Sequence, residues 1–115
     1  MFSHWVADFL CQTTWMSENK SKNFLALLSH GIVYTGMLTY MIASLGLRMD
    51  LNPTNLLVYG GLNGVAHVCV DGVSSRITSY FWRKKNVHSF FCVIGLDQFI
   101  HFVILYTTMS VYLTP

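Results

Sequence analysis

Residues 23–47 contain no formally charged side chain, and the run is long enough to cross a bilayer as a helix. In hydrocarbon each backbone N–H and C=O must find a partner inside its own segment, so a run of this kind is restricted to α-helix. The rest of the chain supports the same environment. Charged residues make up 10% of it, against about 25% in soluble domains, and hydrophobic residues make up 53%. So little polar surface cannot cover a water-soluble fold. The 115 residues leave room for one core, and residues 1–115 are expected to form a single transmembrane helical domain.

Three more helical segments are expected, over about 2–16, 54–82 and 87–113. A polar stretch at 17–22 ends the first, and a turn over 48–53 with Asn52-Pro53 favours initiation of the third. The expectation is an all-α, membrane-embedded, antiparallel four-helix bundle with a short first helix, about 22 Å long. Loops 17–22 and 83–86 are basic, while Arg48 and Asp50 cancel in the middle connection. The positive-inside rule places both basic loops on the cytoplasmic side of the inner membrane and the termini outside. Trp15 and Trp82 then sit near the cytoplasmic interface. Met1 to Trp15 lacks a basic n-region and is interrupted by Asp8, so it is expected to stay in the mature protein. Cys11, Cys69 and Cys92 are scattered through apolar segments and are expected to be buried small hydrophobes. No basic patch alternates with stacking aromatics, so nucleic acid is not an expected partner. Membrane lipid is.

Against this apolar background, three of the five acidic residues lie four positions from a histidine: His4 with Asp8, His67 with Asp71, and Asp97 with His101. That spacing puts each pair on one helix face. Measured from the basic-loop ends, the aspartates fall roughly 13–17 Å deep and the histidines roughly 19–23 Å deep at 1.5 Å per residue. The order of His and Asp inverts with chain direction, as antiparallel packing requires for one carboxylate layer and one imidazole layer. His30 enters from the second helix at roughly 10–12 Å, on the loop side of the carboxylates. An aspartate at the centre of a membrane helix costs about 2.5–3.5 kcal/mol, so three need compensation. The lysines and arginines are assigned to loops and helix ends, away from the carboxylates, which leaves protons, imidazolium or metal ions.

A divalent metal on His4, Asp8, His30, His67, Asp71, Asp97 and His101 satisfies the set. Zinc is the first choice, manganese or iron fit too, and either one or two ions balance the charge. Gln12, Asn63 and Gln98 are candidate hydrogen-bonding supports around the ligands, with Gln98 turned about 100° from Asp97. The competing account is an Asp–His hydrogen-bond network carrying protons or ions. Gly60 and Gly64 form a small-x-x-x-small step suited to close helix packing. His88 follows the third loop and is expected to be interfacial.

The chain resembles a family of small, uncharacterised phage and bacterial inner-membrane proteins. The matching pieces are His4-x-x-x-Asp8-Phe9-x-x-Gln12, Trp15-Met16 with Asn19-Lys20, His30, His67-x-x-x-Asp71 and Asp97-Gln98-x-x-His101. More remotely it looks like the membrane-bound metal-dependent hydrolases grouped with zinc phospholipase C and P1-type nucleases. That resemblance implies hydrolysis of a phosphoester.

Three functions therefore compete. The first is a membrane-embedded metal-dependent hydrolase acting on a lipid or lipid-linked phosphate. In it Asp8, Asp71 and Asp97 are the catalytic candidates, and the carboxylate left uncoordinated serves as general base. The second is a non-catalytic phage-type protein with a structural metal, binding or inhibiting a host membrane protein. The third is a homo-oligomeric proton or metal-ion conduit.

Overall fold

The structure, a computed structural model, describes residues 1–46 and 51–114. It is all-helical, with no strand among the described residues. Three long helices dominate: α3 (Phe24–Gly46), α4 (Pro53–Arg83) and α5 (Val87–Tyr112). Each is long and apolar enough to cross a membrane. The start of α4 is capped as the sequence suggests, and that of α5 is capped too. Asn52 accepts from the Thr54 N–H at 2.8 Å with Pro53 as the first helical residue, and Asn86 accepts from the Ser89 N–H at 3.0 Å. The α4–α5 turn closes with Asn86 N–H donating to the Phe81 carbonyl and Lys85 N–H to that of Trp82. Lys85 takes the left-handed conformation, φ 55°, that this motif demands and glycine usually supplies. The expected turn at Arg48 and the Arg48/Asp50 balance lie outside the described residues.

The first segment departs from expectation. Residues 2–16 are not one helix but α1 (Phe2–Trp5), a π-helical turn (Val6–Leu10), a bend, and then α2 (Thr14–Asn19). Thr13 starts α2 afresh by accepting from the Met16 N–H at 3.2 Å. In the π turn the Cys11 N–H reaches back to the Val6 carbonyl, five residues away. The molecule is thus three long helices with a broken N-terminal arm packed on α3.

α4 lies between α3 and α5 and packs on both. Contacts run Gly31–Val68, Thr35–Gly64 and Thr39–Gly60, so positions rise by four on α3 as they fall by four on α4. The two helices are therefore antiparallel. A methyl at Gly31, Gly60 or Gly64 would overlap its partner's side chain. The small-residue step holds these backbones close, which brings His30 within reach of His67.

The burial pattern is inverted relative to a soluble protein. Large apolar side chains such as Phe24, Ile32, Leu57, Val65, Leu96 and Phe99 face outward, while every histidine except His88 is buried. The buried apolar core is small, with Tyr34, Leu38, Tyr59 and Leu105 as its main members. The cysteines correct the expectation of burial: Cys69 and Cys92 are exposed and Cys11 is half-buried. They sit on faces turned away from the polar interior. His88 is exposed near the third loop, with its Nε2 3.6 Å from Cys92 Sγ.

Candidate metal centre

Each helical element delivers polar groups to one buried cluster. The arm supplies His4 and Asp8, α3 supplies His30, α4 supplies His67 and Asp71, and α5 supplies Asp97 and His101. His30 Nε2 lies 3.0 Å from Asp8 Oδ1, 3.3 Å from Asp71 Oδ2 and 2.9 Å from His67 Nε2. His67 Nε2 lies 3.4 Å from Asp8 Oδ1 and 3.8 Å from Asp71 Oδ2. Zinc at 2.0–2.1 Å from four tetrahedral ligands holds them about 3.4 Å apart, so these spacings suit one ion. All four residues are at most 3% exposed. As a hydrogen-bond network the arrangement works with one proton shared between the facing Nε2 atoms, but His30 Nδ1 is left buried and unpartnered. As a ligand set it is good: with both rings protonated on Nδ1, the two Nε2 lone pairs converge with two carboxylate oxygens.

His30 therefore sits between the carboxylates rather than on their loop side. The expected separate layers are interleaved, because imidazole and carboxylate converge on one centre.

A second group shares Asp71. Asp71, Asp97 and His101 each place one ligand atom within 4.8 Å of the others. The Nδ1–H of His101 donates to the Asp97 carbonyl at 2.8 Å, which turns Nε2 toward Asp71 Oδ1 at 3.8 Å and His67 Nδ1 at 2.8 Å. Ser74 donates to Asp97 Oδ1 at 2.6 Å and Gln98 to Oδ2 at 3.0 Å.

His4 stands at the edge and belongs to neither group. Its Nδ1 is 2.9 Å from the Tyr34 hydroxyl, and its Nε2 is 3.3 Å from Gln98 Oε1 and 3.7 Å from Asp8 Oδ2. Gln98 is not turned away: its long side chain bridges Asp97, Asp8 at 3.4 Å and His4. Asn63 does not support the cluster. Its amide donates to the Tyr59 carbonyl and to Thr108 Oγ1, both at 2.8 Å, and so ties α4 to α5. Gln12 lies beside Asp8, with its Oε1 buried and unpartnered.

The basic residues also differ from expectation. Lys20 Nζ is 2.7 Å from Asp71 Oδ2, because the arm folds back after α2 and the lysine stem reaches inward. Arg76 lies within α4 and donates to the Gly72 carbonyl. One carboxylate thus has a lysine partner from the chain itself. A cleft of about 710 Å³ runs from Asp8, Asp71 and Asp97 to the exposed Lys22 and Arg83. The first and third basic loops therefore share one end of the molecule.

A family model described as "Protein of unknown function (DUF3307)" matches residues 1–115. The chain belongs to the DUF3307 family. Neither the curated proteins nor the solved structures contain a match to it.

In this DUF3307 chain the sequence reading missed Tyr34 as well as Lys20. The Tyr34 ring stacks on His67 at 3.7 Å and 6°, and is 1% exposed. Its position one turn after His30, on the same α3 face, was the available signal. Tyr34→Phe keeps the stack and removes the bond to His4. The expected result is a loss of about 1 kcal/mol of stability with metal content unchanged, checked by thermal melts and elemental analysis.

Proposed function

We propose that the protein is a membrane-embedded, metal-dependent phosphoester hydrolase holding one divalent ion, zinc before manganese or iron, on Asp8, His30, His67 and Asp71. The observation that carries the reading is the set of 2.9–3.8 Å separations among those four buried residues. The cleft supports it, since it leads from Asp8, Asp71 and Asp97 to an end rich in basic residues. In this reading α3, α4 and α5 cross the inner membrane with loops 17–22 and 83–86 cytoplasmic. The loops' shared end fits that topology.

A bound ion would polarise a phosphoryl oxygen and make water nucleophilic near neutral pH. Asp97 is the carboxylate left over and the most accessible of the three, its side chain 11% exposed against 4% for Asp8 and 3% for Asp71. Ser74 and Gln98 fix its two oxygens. It takes a proton from the attacking water as the new O–P bond forms, and returns it to the alcohol oxygen as the ester P–O bond breaks.

Elemental analysis of protein purified in mild detergent tests the centre, with one zinc per chain expected. Asp97→Asn is expected to keep that zinc and lose about 10²–10⁴-fold of activity on bis(p-nitrophenyl) phosphate. Folded protein without stoichiometric metal ends the proposal. The four-ligand, fully buried shell also favours a second reading, a structural ion in a protein that binds a membrane partner. Zinc-loaded protein inert toward phosphomonoesters and phosphodiesters, and unfolded by chelation, selects that one.

A further inference from the structure

We infer that the cleft beside the metal centre is a subsite for phosphate-class oxyanions, and that Lys20 joins it only when a divalent ion takes Asp71 from it. The inference rests on the metal reading above. It concerns groups that reading leaves unused.

Lys20 Nζ sits on Asp71 Oδ2, and that oxygen is 3.3 Å from His30 Nε2 and 3.8 Å from His67 Nε2. The ammonium therefore occupies one corner of the ligand set. A divalent ion at the centre of that set would lie within a few ångströms of a like charge and would compete for the same oxygen. Lys20 is placed to move aside. It follows the six-residue α2, its side chain is 21% exposed, and its stem lies along the cleft. Released from Asp71, it has the cleft to turn into.

The outer part of the cleft suits an anion. Lys22 and Arg83 stand at its mouth and make no ion pair among the described residues. Glu18 also lines the cleft, and Asp8, Asp71 and Asp97 line its deep end, so an anion is favoured there only with a divalent ion set against those carboxylates. Deeper in, Ser75 is among the lining residues; it is 7% exposed, and its buried hydroxyl oxygen is unpartnered. A buried hydroxyl without a protein partner has a donor to spare for water or for a ligand oxygen. Two cations at the mouth, a releasable third and an orphan donor match an oxyanion with several acceptor oxygens. A phosphate monoester head group or a free phosphate has that chemistry. The apolar rim at Trp82 and Phe90 suits the former.

The full chain in mild detergent provides the test, with zinc affinity read by chelator competition and inorganic phosphate binding by ³¹P line broadening. Lys20→Met is expected to tighten zinc about 10–100-fold, the worth of the charge-assisted hydrogen bond that no longer competes. The same change should weaken phosphate binding by the zinc-loaded protein about tenfold, while Lys20→Arg restores it. Chelated wild-type protein should not bind phosphate. A purely structural Lys20 predicts the opposite sign, so zinc binding that is unchanged or weaker in Lys20→Met overturns the competition. Phosphate binding indifferent to zinc overturns the coupling. If wild-type protein takes no zinc, the metal reading fails first; if it takes zinc but no phosphate, the subsite alone fails. Phosphatidic acid in nanodiscs displacing phosphate at lower concentration than glycerol phosphate assigns the subsite to lipid. Equal displacement assigns it to soluble esters.

Discussion

His67→Ala should abolish metal retention while leaving a helical protein. His67 is the point where the cluster meets: its Nε2 faces His30, Asp8 and Asp71, its Nδ1 faces His101, and its ring stacks on Tyr34. The substitution deletes one of four ligands and leaves the others without their common neighbour. Even outer partners of metal ligands are worth about 10–100-fold in affinity, so removing a ligand is expected to exceed about 100-fold. The cavity and the broken contacts cost on the order of 2–4 kcal/mol. Circular dichroism should still report helix, since α3, α4 and α5 are long and separately capped or closed. Elemental analysis should find no stoichiometric zinc, and hydrolysis should vanish with it. Wild-type metal content in His67→Ala would contradict the ligand assignment.

Gly64→Leu should lose metal as well, although Gly64 touches no ligand. A side chain there drives into Thr35, whose hydroxyl is already committed to the Gly31 carbonyl at 2.7 Å and cannot simply rotate aside. Separating α3 from α4 is the remaining response. That wedge acts on the 2.9 Å approach of His30 to His67, one turn along the same interface. Overpacking costs about 1–3 kcal/mol where side chains can adjust, and the upper end is expected where backbones must part. Gly61→Leu is the matched control, since a side chain at Gly61 enters open space. A fall in melting temperature and zinc content for Gly64→Leu, with neither for Gly61→Leu, is the expected pair of results. Equal behaviour of the two variants would remove the close helix approach as the device that assembles the centre.

The three long helices were readable because long apolar runs and the Asn52-Pro53 start are local signals. Each described end falls within about a turn of its expected place. The four-residue His/Asp spacings were equally local, and the structure gathers those pairs into one cluster. What escaped was non-local or out of period. The π turn at Val6–Leu10 inserts a wider turn that a 3.6-residue pattern cannot represent. Lys20 reads as loop, because nothing in its neighbourhood marks a contact with Asp71, 51 residues away. Gln98 was misplaced because helical angle locates a Cβ, whereas its amide lies several bonds further out. Asn63 was credited to the cluster on its face alone, and Thr108, the partner that claims it, lies on another helix.

Lys20 also bears on how the newly made protein matures. With an ammonium already seated on Asp71, the chain carries its own placeholder, and the helices can come together before any ion is delivered. If the cluster takes a divalent ion, its loading would be an exchange within a finished scaffold rather than a trigger for assembly. A chain deprived of that ion would then keep its fold, with Lys20 still seated on Asp71.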